Sequence, residues 1–270
     1  MPEARASVSI AVIDPKKTTR NLFDHALRAL QGDDMAARLT RLPERRDWSP
    51  QQAPVFRATA GDLRSVAETH RVREHDLLHK LPSMSRDAIR HFLVNYQVNS
   101  QWYGTHLAAL HKRLPPTLAR YLEPVILDEF GAGDSEKAHP RLFNRCLRSL
   151  AGGPRIVIIE EAMDLLVRKV RWSRLASLPM GLGAFACLEA AMPRQAELLY
   201  LGLLQWGLPQ DDLVFFDIHR VVDTAHGEAV LQCLSELVAG DQDVEDAVRG
   251  GLEALETRAR FFDGVLRTVR

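Results

Sequence analysis

The sequence predicts an all-α protein. Apolar residues recur at helical spacing in almost every segment of the 270-residue chain, and the alternating Val, Ile and Thr runs that are typical of β-strands are missing. Prolines and glycines divide these periodic segments into helical lengths. About eight helices with short connections favour a compact bundle, in which cofactor sites are built from side chains on facing helices.

The N-terminal part of the chain, residues 1–58, is predicted to hold one helix and a proline-rich linker outside the bundle. Thr18 or Thr19 can cap this helix, because a threonine hydroxyl accepts a hydrogen bond from a free backbone N–H group of the first turn. The linker contains Pro43, Pro50 and Pro54. Residues 59–270 are then predicted to form the helical domain.

Caps and breaks predict the helices of this domain. Ser85 can cap a helix that ends before Pro115. Two further caps are offered by pairs of residues: Asp134 or Ser135, and Asp211 or Asp212. Pro179, Gly181 and Gly183 are expected to separate two helices. The predicted helices cover 61–80, 86–112, 117–129, a segment that ends at Leu150, 156–174, a segment around Glu189, a segment that ends near Val238, and 243–268.

The composition excludes several classes of partner. Lysine and arginine (35 together) balance aspartate and glutamate (35 together), so no net charge attracts nucleic acid or an anionic membrane surface. No apolar run reaches the ~20 residues that a transmembrane helix needs. The three cysteines form no CxxC pair, which is typical of a reducing compartment and offers no thiolate metal site. We therefore expect a cytoplasmic protein that acts on a small molecule.

A motif with the character of a metal site lies in the segment FFDIHRVVDTAH. His219, Asp223 and His226 are spaced i, i+4 and i+7, so on a helix all three project from one narrow stripe. Phe215 and Val230 share this stripe, which indicates that it faces the core. A buried carboxylate and two buried imidazoles need partners, and a metal ion satisfies all three. The alternative is a hydrogen-bonded His–Asp cluster inside an ordinary helical protein.

A second candidate ligand is Glu189, an isolated carboxylate in the small-residue segment GLGAFACLEAAMP. Pro193 lies just beyond it and either kinks this helix or begins the next one. The alternative for Glu189 is an exposed and idle position at a helix end.

A third region contains Glu129 and His139, which end one predicted helix and begin another. Gly131 and Gly133 lie between them, tolerate positive φ and allow the chain to fold back. In isolation this signal is weak, because acidic helix ends are common. Three nearby acidic residues are set aside as weaker candidates: Asp128, Asp134 and Glu136.

Together these regions offer three carboxylates and three imidazoles: Glu129, His139, Glu189, His219, Asp223 and His226. Such a set suits two iron or manganese ions, whereas thiolates would indicate zinc or an iron–sulfur cluster. Two divalent ions and three carboxylates leave a net charge of about +1, which favours reduced dioxygen or an anionic substrate group. Phe185, Phe215 and Phe216 are expected to line the substrate pocket. The remaining histidines are expected at surface or hydrogen-bonded core positions.

This pattern resembles the haem-oxygenase-like diiron oxidases and oxygenases, a family of iron-containing redox enzymes. Three motifs match in order: the Glu129–His139 pair with its glycines, the isolated Glu189, and the closing His–Asp–His triad. The segment REHDLLHKL is similar to the family's early His-x-Leu-Leu motif. The resemblance covers roughly residues 65–240 and leaves the N-terminal part unexplained.

The resemblance implies a seven-helix bundle that binds two iron ions and uses dioxygen as co-substrate. Members oxygenate an amine nitrogen or cleave a C–C bond, and one branch consumes its own tyrosine. This chain has Leu188 and Phe215 where that branch has tyrosines. We therefore expect a non-haem diiron oxygenase that acts on a small amine- or amino-acid-derived metabolite of specialised biosynthesis, by N-oxygenation first of all. The alternatives are oxidative C–C cleavage or desaturation at the same site, and a non-catalytic bundle that acts as a binding module. An external electron donor and a homodimer are further expectations.

Overall fold

The structure, a computed structural model, describes residues 60–269 and is all-α over that range, as predicted. Its helices are α1 Ala60–Thr69, α2 Asp76–Lys80, α3 Arg86–Ser100, α4 Tyr103–His111, α5 Pro116–Ala119, α6 Glu123–Glu129, α7 His139–Arg148, α8 Glu160–Arg174, α9 Leu178–Trp206, α10 Val214–Leu237 and α11 Asp241–Thr268. None of these helices is both long and apolar enough to cross a membrane. The helix predicted near Thr18 and the proline-rich linker lie outside the described residues.

The central helix of the bundle is α9, whose 29 residues pack along both α10 and α11. Paired glycines bring the backbones of α9 and α11 together. A Cβ added at Gly183 would lie 2.1 Å from the carbonyl oxygen of Ala247, and one added at Gly250 would lie 2.1 Å from that of Met180. Because side chains larger than hydrogen do not fit there, this packing fixes the depth at which α9 crosses the bundle.

A break separates α8 from α9 as predicted, but it lies at residues 175–177 and not at Pro179, Gly181 and Gly183, which all lie inside α9. The two glycines serve close packing instead of a chain break. Tertiary burial here overrides the low intrinsic helix propensity of glycine. Helix α9 also continues beyond Pro193, so this proline does not begin a new helix.

Two long predicted helices are divided in the structure. Segment 61–80 forms α1 and α2, because the side chains of His70 and His75 accept hydrogen bonds from backbone N–H groups two residues further on and begin new turns. Ser85 caps α3 as predicted, but segment 86–112 divides into α3 and α4. The next predicted helix likewise divides into α5 and α6. Apolar spacing indicates the buried face, and that spacing continues across short breaks in the backbone helix.

The predicted acidic caps are wrong. Asp134 accepts a hydrogen bond from the Glu136 backbone N–H at 3.0 Å inside a turn, and α7 begins only at His139. The Asp212 carboxylate accepts a hydrogen bond from the Ser149 hydroxyl, and α10 begins without a side-chain cap. In both places the carboxylate has another partner, since short polar side chains form local turns and tertiary bonds as readily as caps.

Candidate metal centre

The stripe of α10 that carries the His–Asp–His motif faces the interior of the bundle, as predicted. His219, Asp223 and His226 are only 6%, 1% and 4% exposed, and Phe215 and Val230 on the same stripe are buried as well. Burial of ionisable side chains is costly unless each one has a partner. The motif therefore belongs to the core and needs a compensating group there.

Glu189 lies on α9 opposite this stripe and is buried. Gly227 of α10 lies beside it, where an added Cβ would be 3.6 Å from the Glu189 Cβ. The alternative of an exposed glutamate at a helix end is therefore wrong. The close approach of α9 and α10 brings the Glu189 carboxylate to the same part of the core as the His–Asp–His motif.

Glu129 ends α6 and His139 begins α7, and the turn between them folds back as predicted. Gly131 and Gly133 have φ values of +86° and +91°. A Cβ at Gly131 would lie 2.2 Å from the carbonyl oxygen of Asp134, so the turn requires glycine at this position. The fold-back places His139 Nδ1 2.9 Å from Glu129 Oε1, with both side chains buried.

The six predicted ligand residues meet in two clusters. The first triad consists of Glu129, His139 and His219, and the second triad consists of Glu189, Asp223 and His226. Within each triad the candidate ligand atoms all lie within 4.8 Å of one another, and all six residues are buried. Each triad combines carboxylate oxygen with imidazole nitrogen, which is a donor set that suits iron or manganese.

Several of these atoms have no hydrogen-bond partner among the described residues: His139 Nδ1, Glu189 Oε1, Asp223 Oδ1 and His226 Nδ1. His226 Nδ1 lies 3.4 Å from Asp223 Oδ1, and His139 Nδ1 is close to Glu129, but neither contact is aligned as a hydrogen bond. An unsatisfied buried polar group costs about 1–3 kcal/mol, so native proteins contain few of them. A cation in each triad would satisfy these atoms, and the residues present therefore fit metal ions.

Two acceptors outside the triads orient the histidine rings of α10. His219 Nδ1 donates to the Phe215 carbonyl oxygen at 2.5 Å, and His226 Nε2 donates to Asp128 Oδ2 at 3.2 Å. Since a carbonyl and a carboxylate only accept, the opposite nitrogen of each ring in its neutral form carries no proton and can bind metal. Asp128 was predicted to be a weaker ligand candidate, and its contact with His226 gives it this supporting role instead.

Burial also shifts the protonation of the triads. It raises the pKa of Glu189 well above the usual range, and the Asp223 carboxylate raises that pKa further. Burial likewise raises the pKa of Asp223, to which the Glu129 carboxylate adds. Burial, together with His139, lowers the pKa of His219 well below its usual value. Without a cation, Glu189, Asp223 and His219 therefore favour their uncharged forms. Binding of a cation must displace protons from the two carboxyl groups.

Substitution of Asp128 by alanine is expected to weaken iron binding by about 10- to 100-fold, because His226 loses the acceptor that fixes its ring. Competition with a coloured chelator measures this affinity. Glu136→Gln is the matched control, since Glu136 is exposed and pairs only with Arg141 among the described residues. Equal iron affinity in the Asp128→Ala variant and the unmodified protein would contradict the supporting role.

Comparison with known proteins identifies the family. The model of the iron-containing redox enzymes matches residues 90–259, which is more than half of the chain and includes all six triad residues. The chain belongs to this family. Membership indicates an oxidoreductase, and the resemblance predicted from the motifs is confirmed. A search of curated proteins found no match.

Solved structures support the fold of this iron-containing redox enzyme. A CADD-like protein of unknown function from Nostoc punctiforme matches with a TM-score of 0.65 and 13% identity over 78% of this chain and 96% of that one. A domain of unknown function with a haem oxygenase-like fold from Shewanella denitrificans matches with a TM-score of 0.59 and 14% identity. The match covers 77% of this chain and 90% of that one. A TenA homologue from Pseudomonas syringae matches with a TM-score of 0.60 and 15% identity, over 77% of this chain and 91% of that one. At these identities the likeness shows the fold alone, which is haem-oxygenase-like as predicted.

A cavity of about 530 Å³, including the part open to solvent, lies beside the triads of this iron-containing redox enzyme. Its walls contain four triad residues, several apolar side chains and two cations: Glu129, Glu189, His219, Asp223, Leu165, Leu188, Met192, Phe215, Phe261, Lys169 and Arg258. Of the three phenylalanines expected to line a pocket, Phe215 lines this cavity. Phe185 and Phe216 are fully buried in the surrounding core, where they pack on Tyr103 and Phe143.

Two cations at the cavity, Lys169 of α8 and Arg258 of α11, were not among the predicted site residues. Helical spacing offered a signal for each of them. Lys169 follows Leu165 by four residues, and Arg258 follows Ala254 by four, so each cation continues an apolar stripe toward the core. Such a residue is usually taken as the edge of the apolar face, because long basic side chains commonly extend to solvent.

Proposed function

We propose that this protein is a non-haem diiron oxygenase that uses dioxygen to oxidise a small amine- or amino-acid-derived metabolite, with oxygenation of nitrogen as its main outcome. The observation that carries the proposal is the pair of buried triads, whose ligand atoms converge within 4.8 Å and in part have no hydrogen-bond partner. Membership of an iron-containing family supports iron in preference to manganese.

Each triad would hold one iron ion. Iron bound by oxygen and nitrogen ligands supplies the redox chemistry that the activation of dioxygen requires. The protein contributes the geometry: the Phe215 carbonyl orients His219, and Asp128 orients His226. These contacts keep His219 Nε2 and His226 Nδ1 free of protons and directed into the triads.

The walls of the cavity place apolar side chains and a proton donor next to the triads. Leu188, Phe215 and Phe261 are buried apolar residues that line the cavity. Burial raises the pKa of Tyr103 well above its usual value, and the nearby Glu189 carboxylate raises it further. The phenol therefore keeps its proton at neutral pH. Its hydroxyl interacts with the Glu189 carboxylate, so the proton is held next to the second triad.

An assay with intact substrate candidates tests the proposal. Protein loaded with Fe(II) is incubated with oxygen, a chemical reductant and a panel of amines and amino acids. The reductant stands for the external electron donor that we include in the proposal, because the reduction of dioxygen consumes electrons. We expect mass spectrometry to detect products heavier than a substrate by about 14 to 30 mass units, from oxygen gained at nitrogen.

Metal-free protein is the control for this assay and is expected to give no product. Products lighter than the substrate would favour oxidative C–C cleavage at the same site. Iron-loaded protein that turns over no member of a broad panel, and that consumes no oxygen, would favour the non-catalytic binding module.

A further inference from the structure

The cavity beside the triads contains two buried cations that have no carboxylate partner in the part of the chain that the structure describes. Lys169 is 3% exposed and Arg258 is 7% exposed. Neighbouring basic residues on the same two helices are paired: Arg168 lies 3.0 Å from Asp164 in α8, and Arg267 of α11 contacts Glu161. Among the described residues, Lys169 and Arg258 are also the only lysine and arginine that are buried.

Neutral groups hold both cations in place. Lys169 Nζ lies 5.1 Å from the centre of the Tyr103 ring, on its face. The Nη2 group of Arg258 donates hydrogen bonds to the Tyr96 hydroxyl at 2.5 Å and to the Met192 sulfur at 3.1 Å. Aromatic faces, a phenol and a thioether orient a cation without cancelling its charge. The positive charge is therefore positioned but not neutralised.

The two cations also act on each other. Burial and repulsion from Arg258 together lower the pKa of Lys169 to about 7, while Glu129 and Glu189 oppose this shift. Arg258 in turn acts on the Asp223 carboxylate, whose pKa it lowers against the effect of burial. These carboxylates are ligands of the metal ions in the proposed function, on which the present inference rests. With their charge used by metal ions, the cations would face each other across the cavity without any counter-charge, which is costly in a buried position.

We infer that the substrate carries an anionic group, a carboxylate or a phosphate, and that Lys169 and Arg258 bind it. The remainder of the substrate would lie along Leu165 and Phe261 with its reacting end near Glu189. The anion supplies the missing counter-charge and forms charge-assisted hydrogen bonds with both cations. This narrows the substrate class from amines in general to acidic molecules such as amino acids.

Three probes of equal chain length test the inference: hexanoate, hexylphosphonate and hexan-1-ol. Each is titrated by calorimetry into protein loaded anaerobically with Fe(II), in mildly acidic buffer where Lys169 is protonated. We expect one of the anions to bind at least about tenfold more tightly than the alcohol. The tighter anion distinguishes a carboxylate from a phosphate head group.

Variants connect this preference to the two cations. Lys169→Met and Arg258→Gln are each expected to weaken binding of the preferred anion about tenfold and to leave binding of the alcohol unchanged. Arg267→Gln, an exposed arginine of the same helix as Arg258, is the matched control and should bind like the unmodified protein. If Arg258→Gln does not fold, Lys169→Met decides the question. Removal of a buried charge that has no ion-pair partner leaves no other charge unpaired, so this variant is expected to fold.

The failure of this inference and that of the proposed function give different results. If both variants keep full affinity for the anion, then the anion binds elsewhere, for example directly to iron, and the inference on Lys169 and Arg258 is overturned. Equal affinity for all three probes overturns it as well. The iron content of the same samples tests the proposed function separately, since a chain that takes up no iron contradicts that proposal whatever the probes do.

Discussion

Replacement of Glu189 by glutamine is expected to abolish iron binding at the second triad. Glutamine keeps the shape of the side chain but lacks the charge, and its amide offers a weak ligand in place of a carboxylate. The affinity should fall by more than about 100-fold, since loss of a mere supporting partner already costs 10- to 100-fold. Elemental analysis after desalting should then find about one iron ion per chain or fewer, against about two in the unmodified protein.

The stability of the Glu189→Gln variant provides a second measurement. In the metal-free protein the pKa of Glu189 is raised above its ordinary value of 4.5, so its carboxyl group favours folding while it is protonated, and this contribution is lost as the pH rises. Glutamine does not ionise. The metal-free variant should therefore lose less stability than the unmodified protein between acidic and neutral pH. When iron is added, its Tm should rise less than that of the unmodified protein, because only the first triad still binds iron.

Glu197→Gln is the matched control for this experiment. Glu197 lies on the same helix, pairs with Arg194 and is partly exposed. This variant should bind iron and respond to it like the unmodified protein. A Glu189→Gln variant that retains full iron content and the full rise in Tm would show that Glu189 is not a ligand, and the diiron proposal would lose the second triad.

Two parts of the candidate site could be predicted from sequence because they depend on local geometry. Spacings of four and three residues place His219, Asp223 and His226 on one face of any α-helix. A glycine-bearing turn after Glu129 allows His139 to return to it, and the structure contains that turn. Each of these features is determined within about a dozen residues of chain. The division of the six residues between two triads depends on how α6, α7, α9 and α10 pack, and sequence spacing does not contain that information.

Most of the predictions that the structure contradicts failed because of contacts made elsewhere in the fold. Gly181 and Gly183 are poor helix formers, and they become helical because neighbouring helices bury them against backbone. Asp134 and Asp212 are good N-caps by residue type, but a turn and a tertiary hydrogen bond use their carboxylates first. Lys169 belongs to the same class, since only the packed bundle decides whether a lysine at the edge of an apolar stripe is buried. Apart from the local turn at Asp134, a tertiary contact overrode a local preference in each of these cases.

Among the glycine-to-alanine substitutions in α9, Gly183→Ala is expected to cause the largest loss of stability. The new Cβ would lie 2.1 Å from the Ala247 carbonyl oxygen and 2.8 Å from its Cα, and backbone cannot rotate away as a side chain can. Either α9 or α11 must move, at a cost of about 3 kcal/mol. Thermal unfolding should show a Tm lower by roughly 10 °C. Because α9 also carries Glu189, iron content should fall with it.

Gly227→Ala is the matched control, because Gly227 is also a buried glycine inside a helix. The nearest atom to its added Cβ is the Ala190 backbone nitrogen at 3.5 Å, which is an ordinary contact. There the higher helix propensity of alanine should raise stability by up to about 1 kcal/mol. The two substitutions make the same chemical change and differ only in the space available. Equal Tm values for both variants would mean that α9 and α11 are not in backbone contact, and the depth of Glu189 in the bundle would then need another explanation.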